Sequence, residues 1–156
     1  IDMEKRELIL KKALAEIADD YDYIFIDCPP SLGILSINAL AASSGVIIPM
    51  QCEFYSLEGL SQLMLSIRNV KRLYNPGLEI TGILITMYNG RLNLSAQVLE
   101  EIKKYYADKL FATGIVRNVK LSEAPSYGEP IIYYDKYSKG ARAYNDVAKE
   151  ILERTL

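Results

Sequence analysis

The run Tyr21-Asp22-Tyr23-Ile24-Phe25-Ile26-Asp27-Cys28-Pro29-Pro30 holds the residues best placed to do chemistry. Bulky apolar side chains lead to one aspartate, and two prolines then stop the chain continuing as strand. Such a run, bounded by turn residues, reads as a buried parallel strand with a carboxylate at its C-terminal tip. In open α/β sheets ligands bind beyond the carboxyl ends of strands, so Asp27 stands where chemistry is usually done. The plainer reading, a strand-end aspartate that caps the following helix, is open at this point. There are no histidines, which removes Ser-His and Cys-His nucleophilic machinery and most zinc sites. Cys28 and Cys52 end two apolar runs and, without other soft ligands, read as reduced thiols rather than a metal site.

A strand-end aspartate of this kind is also how P-loop nucleotide hydrolases hold Mg²⁺, the Walker B role. Its usual companion is a G-x-x-x-x-G-K-[ST] loop, whose backbone amides cradle phosphates while its lysine neutralises them. Only Gly77 and Gly82 have that glycine spacing, Ile83-Leu84 follows them, and no Gly-Lys dipeptide occurs. No two glycines lie two apart, so a G-x-G-x-x-G dinucleotide loop is excluded as well. By itself the polypeptide builds neither standard phosphate cradle.

The elements that must position Asp27 alternate between helix and strand. Leu10, Ala13, Leu14, Ile17 and Ala18 recur at helical spacing up to Asp19-Asp20, and the strand ending at Asp27 follows. Ser36 to Ala42 reads as a short helix, Gly45 to Met50 as a second buried strand, and Leu57 to Val70 as a long amphipathic helix. Asn75-Pro76-Gly77 is a turn signal before a third strand, Glu79 to about Met87. Ser95 is placed to cap a helix with the face Val98, Leu99, Ile102 and Tyr106. A fourth strand is expected over Phe111 to Val116, then an irregular stretch from Arg117 to Tyr137. A last helix carries Ala141, Tyr144, Val147, Ile151 and Leu152 on one face. This alternation implies βαβ units: an α/β fold with a mostly parallel sheet and helices on both faces, in a single domain over residues 1–156.

Half of the 156 residues are hydrophobic and 24% charged, a globular composition with enough apolar surface for one core. No apolar run approaches the ~18 residues of a membrane-spanning helix. The formal net charge of −2 announces no global affinity for nucleic acid, although a local basic patch is compatible with it. The first residue is Ile1 and a charged helical pattern begins at once, as expected of a piece of a longer protein.

Five blocks then carry a resemblance. They are Tyr21 to Gly33 with Asn38-Ala39-Leu40-Ala41-Ala42; Pro49 to Leu60; Gly82 to Tyr88 with Arg91; Arg117 to Ser126; and Gly140-Ala141-Arg142-Ala143-Tyr144. In order and spacing they resemble the ParA/Soj family of chromosome and plasmid partition ATPases, over nearly the whole chain. The resemblance implies a SIMIBI-type P-loop NTPase fold of which this chain is the C-terminal two-thirds. The family's Walker A loop and its water-positioning acidic motif are not in this sequence. It further implies ATP-dependent dimerisation, nonspecific DNA binding and stimulation by a ParB/Spo0J-type centromere-binding protein, in the cytoplasm at the nucleoid. Asp27 matches the Walker B aspartate, which reaches Mg²⁺ mainly through water, and Pro29, two residues on, is implied as cofactor-binding with it. Thr86 and Met87 match the strand end beside the adenine, and Arg117 and Asn118 the segment lining the base. Where the family has proline before that arginine, this chain has Val116.

Arg91 and Lys120 match regions where the family places DNA-contacting basic residues; such contacts position rather than specify and weaken steeply with salt. Lys103, Lys104 and Lys109 either extend a basic strip or are scattered surface charge, the second being favoured for Lys103 and Lys104. The twelve tyrosines are expected to pack rather than to stack on bases. ATP and Mg²⁺ are implied for the full-length parent, and no ATP binding or hydrolysis is expected of this chain alone. The alternatives are a MinD-like membrane-associated ATPase and a nucleotide-free interaction module. The first is disfavoured because Asp146 to Leu156 has no basic excess, with three acids and two bases, so no membrane contact is expected. In this superclass the P-loop strand lies between the Asp27 strand and the Gly45–Met50 strand, so without it self-association is expected.

Overall fold

The computed structural model describes residues 5–29 and 31–155. The elements α1 (Ile9–Ala15), α2 (Ile34–Ala42), β1 (Gly45–Gln51), α3 (Phe54–Leu73) and β2 (Glu79–Thr86) come first. They are followed by α4 (Asn93–Tyr106), α5 (Val119–Glu123), α6 (Ile131–Tyr134) and α7 (Lys139–Thr155). β1 and β2 pair as a parallel sheet with α3 as the connection between them, which places the chain in the expected α/β class. Two compact units are distinguished, one formed by the chain up to Val46 with Gly59–Glu79, the other by Ile47–Glu58 with Ile80–Leu156.

Two buried asparagines organise the first unit. A helix leaves its first amides and last carbonyls without partners, and here side chains from elsewhere supply them. Asn38 on α2 accepts from the amide of Leu10 in the first turn of α1 (3.1 Å) and donates to the carbonyls of Arg6 (2.8 Å) and Ile34 (3.0 Å). Asn75, in the turn after α3, donates to the carbonyls of Leu40 (3.0 Å) and Ser43 (2.7 Å) at the C-terminal end of α2. Leu60, Met64, Ile67 and Val70 recur at helical spacing on α3 and are all buried. Burying each is worth about 2 kcal/mol.

The run from Tyr21 to Pro29 departs from expectation. It joins no strand among the described residues. Phe25 is 74% exposed, Tyr21 61%, and Tyr23 and Ile24 are exposed as well. Tyr23 and Phe25 stack on each other at 6.3 Å between ring centres. An apolar run reports only what a segment would bury, whereas a strand exists when a neighbour supplies the other half of its hydrogen bonds. Among the described residues the run is not part of the sheet.

The second unit holds the core cluster Leu84, Phe111, Ile115 and Val147, against which Ile47, Leu121, Ala143 and Ile151 pack. The expected fourth strand is interrupted. Leu110 and Val116 make isolated parallel bridges to Ile83 and Tyr88. Ile83 donates to Lys109 O, and Phe111 donates back to Ile83 O. The next bond onto β2 comes from Ile115, to Ile85 O, two residues later than a regular parallel ladder would place it. The amides in between, Ala112 (2.9 and 3.1 Å) and Thr113 (3.3 Å), donate instead to the Glu150 carboxylate on α7. One turn on, Arg154 pairs with Glu150 (2.8 Å), donates to Thr81 O (2.9 Å) and Leu110 O (2.7 Å), and lies over the Phe111 ring at 4.4 Å. Thus α7 clasps the broken segment onto β2. Gly82 permits that closeness, because a Cβ there would stand 2.4 Å from the Phe111 ring.

Ser95 does not cap α4. The helix begins at Asn93 with Leu92 in the capping position, and Ser95 is buried inside its first turn. Several tyrosines are not packed as expected: Tyr55, Tyr105, Tyr127, Tyr133 and Tyr137 are exposed, since they fall at helix ends and turns rather than on buried faces. No helix among the described residues is long and apolar enough to cross a membrane.

Candidate functional site

In the first unit Asp27 is exposed at the end of the extended run. The turn beyond it is held by Ser36 on α2, whose hydroxyl donates toward the carbonyls of Ser31 and Pro29 (3.5 Å for the latter). Ser36 is thus the residue that ties the segment after Asp27 to a helix. Sequence reading passed over it, although a serine two residues into a helix that follows prolines is a signal for such a contact. Partial burial first, and then the negative charge of Asp27, push the Cys28 thiol above its ordinary range; burial alone does the same for Cys52. Both cysteines are free thiols and neither is an activated nucleophile. No group of three or more His, Cys, Asp or Glu able to hold a metal occurs among the described residues. A lone carboxylate is the donor set of a Mg²⁺ ion that keeps most of its water. A groove of about 210 Å³ between α2 and α3 is lined mostly by apolar side chains, Leu32, Ile37, Leu40, Val70 and Leu73, with Ser36, Ser66 and Asn69 among its polar members.

The second unit gathers the other expected residues at the carboxyl end of its sheet. Thr86 closes β2 and donates its hydroxyl to Met50 O on β1 (3.3 Å). Met87 follows with φ 52°, a left-handed backbone rare for a non-glycine residue, and the residue is 57% exposed. The Tyr88 amide then donates to Ile115 O (3.1 Å), so the loop carrying Arg91 and the segment carrying Arg117 leave the same end of two parallel segments. The amide of Arg91 is held by Asn89 Oδ1 (3.1 Å), an Asx turn. Asn118 caps α5, its Oδ1 accepting from the Lys120 amide (2.8 Å). The two prolyl and carboxylate positions of the first unit, Pro29 and Asp27, belong to a different part of the chain.

Lys120 is not a bare cation. Its ammonium pairs with Glu123 (2.8 Å) and lies 5.6 Å from the centre of the Tyr134 ring, while the Tyr134 hydroxyl donates to the same Glu123 oxygen (2.9 Å). The hydrogen bond from Lys120 first, then that from Tyr134, hold the Glu123 carboxyl below its usual range. The same bond to Glu123 raises Lys120 and Tyr134. Lys103 and Lys104 are each paired one turn back, with Glu100 (2.9 Å) and Glu101 (2.6 Å), which agrees with scattered surface charge rather than a basic strip.

A family model described as an AAA domain matches residues 1–80. Among curated proteins, the sporulation initiation inhibitor protein Soj of Bacillus subtilis is 58% identical over 146 residues, covering 94% of this chain and 58% of that protein. The chromosome-partitioning ATPase Soj of Treponema pallidum is 52% identical over 154 residues, covering 99% of this chain and 61% of that protein. The chain belongs to the Soj/ParA family of AAA-domain proteins. It spans about three-fifths of the length of these Soj relatives. Among solved structures, a cobyrinic acid a,c-diamide synthase from Mycobacterium smegmatis with bound ATP analog and magnesium superposes with a TM-score of 0.80. The identity there is 36%, over 97% of this chain and 55% of the other. The Soj/ParA match and this superposition agree on the α/β architecture of P-loop nucleotide-binding proteins.

Proposed function

We propose that this chain is part of a Soj/ParA-type ATPase that partitions chromosomes or plasmids through ATP-dependent dimerisation and nonspecific DNA binding. The observation that carries this reading is the 58% identity to Soj across 94% of the chain. Asp27 is assigned to the hydration shell of Mg²⁺, and its exposure beside a turn anchored by Ser36 suits that role. Thr86, Met87, Arg117 and Asn118 are assigned to the base. Arg91 and Lys120 are assigned to DNA phosphates; both are exposed at the carboxyl end of the second unit's sheet. The partner is a ParB/Spo0J-type centromere-binding protein, at the nucleoid in the cytoplasm. The exposed run from Tyr21 to Phe25 supports self-association of the chain.

The residues present suit the magnesium side of a nucleotide site but not the triphosphate. No Gly-Lys dipeptide is present, so no loop of the Walker A kind surrounds a phosphate with amides and a lysine. No hydrolytic step is therefore assigned to this chain alone. Calorimetry with Mg-ATP is expected to show little or no binding; tight binding would overturn this account of the phosphate side. DNA binding of this kind is expected mostly of the full-length dimer, so filter binding of the full-length protein to duplex DNA over a salt series tests the other half. Arg91→Ala is expected to lower affinity and to reduce the salt slope by about one. An unchanged affinity and slope would remove Arg91 from the role. A full-length protein that binds neither ATP nor DNA would instead fit a nucleotide-free interaction module.

A further inference from the structure

We propose that Glu123 and Tyr134 set how readily Lys120 engages a phosphate, making Lys120 a contact that must exchange partners on binding DNA. The inference rests on the DNA-binding reading of Lys120 given above. Its structural ground is independent of that reading. Lys120 and Glu123 face each other one turn apart on α5 at 2.8 Å, and the Tyr134 hydroxyl reaches the same carboxylate oxygen from α6 at 2.9 Å. The Tyr134 ring also lies under the ammonium at 5.6 Å and stacks on Tyr127 at 5.1 Å, so the cluster is built from two helices and the turn between them.

Each part of the cluster has a separate consequence. An ion pair on an exposed helix is weak, because solvent screens it and two long side chains must be held together. It therefore delays a phosphate without excluding it. A phosphate that takes Lys120 leaves Glu123 still bonded to Tyr134, so the carboxylate is not stranded when the exchange occurs. Tyr134 has the opposite influence on Lys120: by donating to the shared oxygen it draws on the charge that otherwise holds the ammonium. Other charged side chains on the neighbouring segments include Arg117, Glu129, Asp135, Lys136, Lys139 and Arg142, and Lys136 lies over Tyr137 rather than over this cluster.

The test is a double-mutant cycle in the full-length protein with Mg-ATP, using a short duplex DNA of mixed sequence at low ionic strength. Glu123→Gln is near-isosteric and is expected to raise affinity about twofold to fivefold, the range set by the weakness of such pairs. Lys120→Ala is expected to lower affinity. In the Lys120→Ala background the Glu123→Gln gain is expected to vanish, because Glu123 acts through Lys120. Tyr134→Phe, which leaves Glu123 to Lys120 alone, is expected to lower affinity. The Lys120 ammonium resonance is expected to move toward that of a free lysine in Glu123→Gln in the absence of DNA. A gain of equal size in both backgrounds would overturn the inference, since it would report plain repulsion between Glu123 and DNA. An unchanged affinity or an unmoved Lys120 resonance in Glu123→Gln would overturn it too. If Lys120→Ala leaves DNA binding untouched while that resonance still moves, the DNA-binding reading of Lys120 fails, and the inference with it.

Discussion

At the scale of single residues, Gly82 shows how tightly one position can be constrained. It lies on β2 where the Phe111 ring and the Arg154 guanidinium close over the strand, and a Cβ would sit 2.4 Å from the ring and 2.9 Å from Nη1. Phe111 is itself buried, so neither group can move aside without disturbing the core cluster. Gly82→Ala is expected to destabilise the protein by about 1–3 kcal/mol through overpacking, measured as a shift of the urea midpoint at unchanged slope. Met87 is a different case. Its left-handed backbone is an observed strain, and it falls at the end of the strand assigned to the base. Nothing in the local sequence marked that conformation, since Thr86-Met87 reads as an ordinary strand end. Lys120 lies between these cases: its pairing with Glu123 is an i,i+3 spacing visible in the sequence, whereas Tyr134 is eleven residues away and was not.

At the scale of elements, α7 does more than present an apolar face. Its Glu150 and Arg154 pair at 2.8 Å, with side chains only 15% and 22% exposed, and together they hold the backbone of Lys109 to Thr113. Burial first pushes the Glu150 carboxyl up. The amides of Ala112 and Thr113 and the Arg154 guanidinium outweigh that, and the net effect lowers it below the ordinary 4.5. The sign follows by linkage: a carboxyl held low when folded contributes stability above its unfolded value and loses it as the pH falls through the folded value. Glu150→Gln is therefore expected to cost about 1–3 kcal/mol near neutrality. Its deficit relative to the native protein should shrink as pH falls below 4.5. Urea unfolding across an acid pH series measures this, and a deficit constant with pH would contradict the charge-based account. The helix itself was legible from Ala141, Val147 and Ile151, but its clasp on Thr81, 73 residues away, was not. The fourth strand was legible only as an apolar run. The two-residue skip between Phe111 and Ile115 arises because Glu150 competes with β2 for the intervening amides.

At the scale of the whole chain, the exposed run from Tyr21 to Phe25 is the feature out of keeping with a globular composition. Large apolar side chains exposed in one run favour association with a partner surface. The chain is expected to self-associate in sedimentation over a concentration series, and Phe25→Ser to weaken that association while leaving the fold's circular dichroism unchanged. A strictly monomeric native chain would contradict the expectation. The family, the helix–strand alternation and the identity of Asp27, Arg91 and Arg117 as candidates were all determined by the sequence by itself. Motif blocks are local, and their order survives without any knowledge of the fold. Only the tertiary structure decided that Tyr21–Pro29 pairs with no described strand and that Asn38 and Asn75 close the ends of α1 and α2. It alone decided that Tyr134 shares the Glu123 carboxylate with Lys120. The reason is physical: a strand, a cap or an ion pair needs a partner brought from elsewhere in the chain, and periodicity records the demand for that partner without its supply.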